Sequence, residues 1–544
     1  MDPIVKTKSL CNEARGYAER WRFFLSHCSL FAGASPEARA VYPEKAILFF
    51  LLTGVLMRAV RYFLRFPLTG DETSVAVQLA ERGYQQLLAP LDYGQTAPLL
   101  WLWLQKTLLS FLPFNELSLR LLPFTAGVLA LLLFVRLTSE ILQKRQVPWA
   151  VALFAVSYPL VKQGAMTKPY SSDVLVTLLI LLLTVRAARE EKIIGRWYVL
   201  LALLTPLAVF FSYPAIFVLG GASLYLLWYH VRGQQIGRLP CWLVFNMVCA
   251  GSFLGFFFLL VRPNVGGNIQ WFAKIWANAF PPFTSPGEFL GWLWEVHTGV
   301  LLAYPVGGEH SGSILTFLLC LYGIVVLAGE KKRGLFFLLL APFFFNFIAA
   351  AMHRYPYGGM TRLVLYAAPM VALCAGAALG TIFADCNNHR WKSIAARLTL
   401  TALFLIAAAS IGRDIAKPYR DPEEVRLRAF SQWFWNAAAM QGRVVSVQES
   451  LGLDRGDFRV AKFLCYKKVY ASDRRKDAAA GSEGAVTRYV YYRASRTDDS
   501  AYMKWLKGLP ASCTRTEPLQ LPLEYRMDGG KIRADSMVEI VSCR

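Results

Sequence analysis

Residues 46–72 read AILFFLLTGVLMRAVRYFLRFPLTGDE, and this stretch decides the fold. Ala46 to about Phe66 is apolar over the roughly 20 residues needed to cross a bilayer. Thr69, Gly70 and the acidic pair Asp71-Glu72 follow at once. The span therefore delivers two carboxylates to the water–lipid boundary, where a lipid-linked phosphate would lie. Ionisable groups at that depth are expensive and mark functional sites. A purely architectural account also exists: Thr69, three residues before Glu72, makes a capping box for a helix over 71–82. Acidic residues suit a helix N-terminus in any case. Both accounts hold together if Glu72 caps and Asp71 faces a site.

Composition extends the reading to the whole chain. Of 544 residues, 55% are hydrophobic and 17% charged, against about 45–50% and 25% in soluble proteins. The excess sits in discrete runs, so the chain reads as a polytopic α-helical membrane protein with one polar tail. A net charge of +22 raises nucleic acid as a partner. Outside the tail, however, most Lys and Arg lie in short loops between apolar runs, which excludes that class. The first 45 residues are polar and mixed in charge, unlike a cleavable signal peptide. The first span is therefore expected to act as an uncleaved anchor, with weakly amphipathic Trp21–Phe31 on the membrane surface. Ten cysteines show no metal-ligand spacing. If the tail is exported, one disulfide among Cys465, Cys513 and Cys543 is expected, its pairing open.

Further apolar runs centre on 119–138, 148–164, 172–187, 197–212, 214–230, 241–261, 313–329, 334–352, 362–384 and 394–412. With the first, they make about eleven spans. Pro98–Leu112 is apolar but short and Trp-rich, and is expected to lie along the interface. With the N-terminus inside, every cytoplasmic loop is basic: 139–147, 186–196 (Lys192 among its cations), 230–240, 330–334 (with Lys331) and 385–393. The outer segments are 67–118, 165–171, 262–312, 353–361 and the tail. The domains expected are a cytoplasmic segment 1–45, a membrane domain 46–412 with long outer loops 67–118 and 262–312, and an extracytoplasmic α/β domain 413–544. In the tail, Asp421–Gln441 reads as a helix with Pro422 in its first turn. Arg443–Glu449, Val460–Tyr470, Val486–Tyr492 and Met537–Val541 read as strands, and Ala501–Leu509 as a helix.

The outer segments hold the chemistry. Asp71 and Glu72 are the candidate catalytic carboxylates. Candidate binding residues are Asp92, Tyr93 and Gln95 from the first loop, then Lys168, Tyr170 and Asp173. Arg354, Tyr357 and Arg362 complete the set, with Arg262 ending another span on that side. Basic residues are depleted on the outer face, so snorkelling alone is a thin explanation for them. Convergence on a lipid phosphate, through charge-assisted hydrogen bonds, is the sharper one. Gly358-Gly359 could let the backbone approach such a headgroup. Trp271, Trp276, Trp292 and Trp294 in loop 262–312 read mainly as interfacial anchors. Glu295 and His297 form only a weak metal signal, so no cofactor is assigned and a divalent metal stays open.

These motifs resemble the GT-C glycosyltransferases, in particular bacterial family 39-like members related to protein O-mannosyltransferases and the aminoarabinose lipid A transferase. The carriers are Asp71-Glu72, Asp92-Tyr93-Gly94-Gln95-Thr96-Ala97-Pro98, Lys168-Pro169-Tyr170-Ser171-Ser172-Asp173, and Tyr355 to Gly359 with Arg362. The resemblance implies a polyprenyl-phosphate sugar donor used at the outer face of a bacterial inner membrane, and a lipid, glycan or protein acceptor. It implies Asp71 as general base, with Lys168, Arg354 and Arg362 stabilising the departing phosphate. The chain departs from the aminoarabinose branch where a Glu-Lys-Pro segment is replaced by Gln95-Thr96-Ala97-Pro98. A transporter or lipid-linked sugar flippase is the competing class, but its charges would sit near the bilayer midplane. An O-antigen ligase or polymerase lacks the acidic pair after the first span. If that pair only caps a helix, a non-catalytic scaffold remains.

Overall fold

The computed structural model describes residues 41–190, 195–262, 276–330, 332–384, 389–437, 443–451, 458–471, 486–493 and 499–543, except 528–529. Trp21–Phe31, Lys192, Trp271 and Lys331 lie outside the described residues. The membrane part opens with α1 (Val41–Phe63), α2 (Gly70–Glu81), α3 (Leu99–Phe111) and α4 (Glu116–Ile141). It continues through α5 (Val147–Ala155), α6 (Tyr158–Gly164), α7 (Tyr170–Arg189), α8 (Arg196–Phe211), α9 (Ala215–Arg232) and α10 (Leu239–Phe256). After these come α11 (Pro286–Thr298), α12 (Ile314–Gly329), α13 (Leu335–Ala351), α14 (Ala368–Ile382) and α15 (Arg390–Ala416).

Every apolar run of the sequence is found as helix. Among the described residues seven helices are long and apolar enough to cross a membrane: Glu44–Phe63, Glu116–Ile141, Tyr170–Arg189, Ala215–Arg232, Ile236–Val261, Leu365–Ile382 and Arg390–Ala416. Arg196–Phe211, Ile314–Gly329 and Leu335–Ala351 are shorter apolar helices. The remaining run is split into α5 and α6, with Pro159 in the first turn of the second piece. At 13 residues, α3 extends only about 20 Å, too short to cross.

α7 and α14 form the centre, each buried along nearly its whole length. A Cβ on Gly376 of α14 would fall 2.4 Å from the Ala150 Cβ of α5, so a glycine is needed where these helices touch. By contrast α10 exposes Leu243, Val244, Met247, Phe253 and Leu254, and α15 exposes Leu398, Phe404 and Leu405. Such wide apolar surface on a helical chain is what lipid contact requires.

The C-terminal part holds α16 (Pro422–Asn436), α17 (Val447–Leu451), α18 (Phe458–Tyr470) and α19 (Ser500–Lys507). Its strands are β1 (Arg443–Ser446), β2 (Thr487–Arg493), β3 (Thr514–Arg515), β4 (Leu519–Met527) and β5 (Gly530–Cys543). β1 and β2 are parallel, while β2, β3 and β4 all pair antiparallel with β5. Cys513 and Cys543 are disulfide-bonded and Cys465 is a buried thiol. Asp421 caps α16 and Pro422 occupies its first turn, as the sequence suggests.

Two readings of the tail are corrected. Val460–Tyr470 is helix, not strand: Val460, Phe463, Leu464 and Tyr466 bury a helical face, so tertiary packing overrides β-branched and aromatic content. Only the start of Arg443–Glu449 is strand, because the chain turns into α17 at Val447. β4 escapes notice because Pro522 demotes a strand pattern.

Candidate active site

Thr69 caps α2 through the predicted box. Glu72 N donates to Thr69 Oγ1 at 3.4 Å, and Thr69 N donates to Glu72 Oε2 at 3.0 Å. Glu72 is 1% exposed and does more than cap. Arg120 on α4 donates Nε to Oε1 at 2.8 Å and Nη2 to Oε2 at 3.0 Å. Thr167 N adds a bond to Oε1 at 2.9 Å, and Arg120 Nη1 reaches the Phe66 carbonyl at 2.6 Å. Both carboxylate oxygens are thus filled, and Glu72 fastens together α2, α4 and the turn before α7. This geometry leaves it no lone pair for chemistry and makes it a positioning group.

The fastening aims Asp71. Its Oδ2 is ion-paired with Arg362 Nη1, and its side chain keeps 30% exposure. Burial pushes the Asp71 carboxyl up, but Lys168 and Arg362, with Arg420, pull it below its ordinary value. Lys168 is 4% exposed. Desolvation pushes its ammonium down to about 8, against the pull of Asp71. Its Nζ donates to Gln95 Oε1. Gln95 thereby meets an ammonium carried by the turn before α7. Burial disfavours the Arg362 charge, yet Tyr170 and Asp71 together hold that guanidinium above its ordinary value. Arg362 Nε is buried without a partner. Tyr170 stands within electrostatic reach of Arg362, Asp71 and Asp173. Asp173 is 6% exposed and faces the Ser212 hydroxyl, with the unpartnered Ser172 hydroxyl adjacent in the chain.

The loop after α2 is pinned rather than loose. Gln78 Oε1 accepts from Asp92 N at 2.8 Å, Tyr93 and Gly94 take positive φ, and Gln95 Nε2 donates to the Tyr93 carbonyl at 3.2 Å. This turn presents Gln95 to Lys168. Asp92 itself is engaged elsewhere, in an ion pair with Arg82 at 2.7 Å. Arg82 caps the opposite end of α2, roughly 16 Å along the axis from Asp71, so the Asp92 carboxylate stays out of the cluster.

Tyr357 is also out of it. Its hydroxyl lies 3.1 Å from His297 Nε2, and its ring packs beside Trp292 and Phe347. Arg354 is exposed and makes no ion pair among the described residues. Gly358 and Gly359 serve packing rather than a headgroup. With φ of +84° and +71°, Cβ atoms there would come within 2.9 Å of Val296 and 2.5 Å of Ala279.

The residues do not suit a metal ion. Glu72 is saturated by Arg120, and two cations crowd Asp71. His297 Nδ1 contacts the Leu293 carbonyl at 2.8 Å while Nε2 meets Tyr357. Among the described residues no three His, Cys, Asp or Glu side chains group to hold one.

The sequence reading missed Arg120 and Tyr466. An arginine inside an apolar run was the available signal for the first. The Tyr466 hydroxyl, on α18, accepts from Leu68 N at 3.1 Å. Leu68, Ala76 and Val77 pack with Val460, Phe463 and Leu464, so the C-terminal part braces α2. Lys468 adds an ion pair with Glu81 at 3.4 Å.

Residues 96–256 match the family described as dolichyl-phosphate-mannose-protein mannosyltransferase. No curated protein sequence matches the chain. The structure of ArnT from Cupriavidus metallidurans in the apo state is similar, with TM-score 0.52 and 10% identity over 92% of this chain and 98% of that one. The same protein bound to undecaprenyl phosphate gives 0.51 and 11%, over 91% and 97%. The apo oligosaccharyltransferase of Archaeoglobus fulgidus gives 0.48 and 13%, over 84% and 70%. Over most of its length the chain therefore shares the fold of these membrane glycosyltransferase structures, and part of its membrane region matches the mannosyltransferase family.

Proposed function

We propose that the chain transfers a sugar from a polyprenyl-phosphate-linked donor to an acceptor at the outer face of the membrane. One observation carries the reading: segments far apart in sequence bring Asp71, Lys168 and Arg362 together, one carboxylate between a buried lysine and a half-buried arginine. The likeness to a protein whose structure holds undecaprenyl phosphate supports the lipid class.

In this reaction Asp71 accepts the proton of the acceptor hydroxyl or amine. The freed lone pair attacks the anomeric carbon, and the bond from that carbon to the phosphate oxygen breaks. Its electrons pass to the phosphate, and a single displacement inverts the anomeric configuration. The leaving group needs cations rather than a proton, and Lys168 and Arg362 supply them. Tyr170, Gln95 and Asp173 line the approach and orient the sugar. Glu72 and Arg120 hold α2 in register.

The test compares wild type with Asp71→Asn in nanodiscs, measuring release of polyprenyl phosphate from a panel of lipid-phosphate sugars. Turnover lost in a variant with unchanged thermal unfolding supports the base role. Equal turnover reduces Asp71 to a helix-terminal charge and sinks the mechanism.

A further inference from the structure

The outer ends of α1, α6 and α15 hold a second concentration of charge beside Asp71. Arg61 pairs with Asp414 at 2.7 Å, and the Tyr158 hydroxyl donates to the same carboxylate at 2.9 Å. The Arg413 guanidinium stands 5.3 Å from the Tyr158 ring centroid. Lys162 follows one helical turn later on α6, half-buried. Its charged neighbours are Arg420, Arg61, Arg413 and Arg362, all cations. Arg420 acts on Asp71 as well. Arg61, Arg362, Arg413, Arg420, Lys162 and Lys168 therefore meet the carboxylates of Asp71, Asp414 and Glu424, each of which already holds a cation. Lys162, Arg413 and Arg420 have no carboxylate partner among the described residues.

Snorkelling accounts for Arg413 and Arg420, which are exposed at and beyond the end of α15. It does not account for a half-buried lysine placed among four like charges. Mutual repulsion there is relieved when the lysine gives up its proton or when an anion is gathered, and phosphate takes both lysine and arginine through charge-assisted bonds. Ile415, next to Asp414 at the end of α15, is exposed, so apolar surface adjoins the cluster. We propose that the outer ends of α1, α6 and α15 form a second anion site, taking a lipid-borne phosphate next to the reaction centre. That phosphate comes from one of two sources, the second phosphate of a diphosphate-linked donor or the headgroup of a separate lipid. The first source rests on the transferase reading above; the second stands without it.

The full chain in neutral phosphatidylcholine nanodiscs is titrated with polyprenyl monophosphate, polyprenyl diphosphate and phosphatidic acid by native mass spectrometry. Lys162→Gln/Arg413→Gln is compared with wild type, and Lys168→Gln reports the reaction centre separately. Among the described residues neither substituted side chain makes a hydrogen bond, and Arg413 has only its contact with the Tyr158 ring, so thermal unfolding is expected to stay close to wild type. The double variant is expected to lose about tenfold in affinity for the diphosphate or for phosphatidic acid, and nothing for the monophosphate. A wild-type preference for diphosphate over monophosphate that vanishes in the double variant assigns the phosphate to the donor. Loss confined to phosphatidic acid assigns it to a separate lipid. Wild-type affinity for all three probes in the double variant overturns the proposal, as does a wild type that binds neither diphosphate nor phosphatidic acid. Failure of monophosphate to bind wild type would count against the transferase reading instead.

Discussion

Lys168 gives the proposed mechanism a pH signature. Burial moves its ammonium from 10.5 down to about 8. That lowering corresponds to about 3 kcal/mol against the charged form in the ligand-free site. Only the protonated lysine can hold the lipid phosphate, so the sign is fixed: kcat/KM is full below that value and falls as pH rises through about 8. A bound phosphate restores the preference for the ammonium, so the limb of kcat lies at higher pH than that of kcat/KM. Lys168→Arg keeps its charge throughout and removes the limb up to about pH 10. Its bulkier head in a buried position lowers the rate by a constant factor, which leaves the position of the limb readable. Lys168→Gln loses the contact at every pH, a fall of roughly 10- to 150-fold for the 1.5–3 kcal/mol of a charged hydrogen bond. The assay is release of polyprenyl phosphate in nanodiscs from about pH 6 to 10. An alkaline limb near 8 that survives Lys168→Arg, or Lys168→Gln turning over like wild type, refutes the reasoning.

Two further outcomes test the frame around the site. Arg120→Met leaves the buried Glu72 carboxylate without its arginine and should destabilise the fold by about 3–5 kcal/mol, read as a lower midpoint of thermal unfolding. Glu72→Gln/Arg120→Met, which removes both charges, should recover part of that loss; a single variant as stable as wild type would show the pair to be idle. Glu81, between α2 and α18, is pushed up to about 7 by burial and by Glu449, against Lys468. A raised carboxyl stabilises the fold below its ordinary value of 4.5 and loses that contribution as pH rises through about 7. The unfolding midpoint of wild type should therefore fall between about pH 5 and 8, and Glu81→Gln should flatten this slope; an unchanged slope places the titration elsewhere.

The spans were legible because a bilayer imposes length and apolar content on one continuous segment, as in α1 and α4. The capping box of α2 was legible for the same reason: Thr69 and Glu72 are neighbours in sequence. What escaped were pairings across the chain. Arg120 meets Glu72 from 48 residues away, and Tyr466 meets Leu68 from 398. Nothing local distinguishes Asp92, taken by Arg82, from an acid free to bind ligand. Tyr357 and the Gly358-Gly359 turn have the residue types of a headgroup site, yet the same types satisfy close packing against Ala279 and Val296. Residue type told which positions have the groups for chemistry, but only the third dimension told which were already spent on structure.

The charge balance around Asp71 also bears on the order of events in the proposed reaction. Without ligand, Lys168 and Arg362 hold the carboxylate below its ordinary value, which makes it a weak base. A lipid phosphate on those two cations neutralises the field that depresses Asp71 and competes for the guanidinium that occupies Oδ2. Both effects act in one direction, raising the affinity of Asp71 for a proton once the donor is seated. Proton abstraction from the acceptor is then favoured only with a sugar in place to receive the nucleophile. Water that enters the empty site meets a carboxylate held ionised by its neighbours. The saturated Glu72 makes this coupling sharp: its fixed bonds to Arg120, Thr69 and Thr167 keep α2 from shifting to relieve the field. The two members of the acidic pair thus divide the work, one holding the helix still while the other responds to charge.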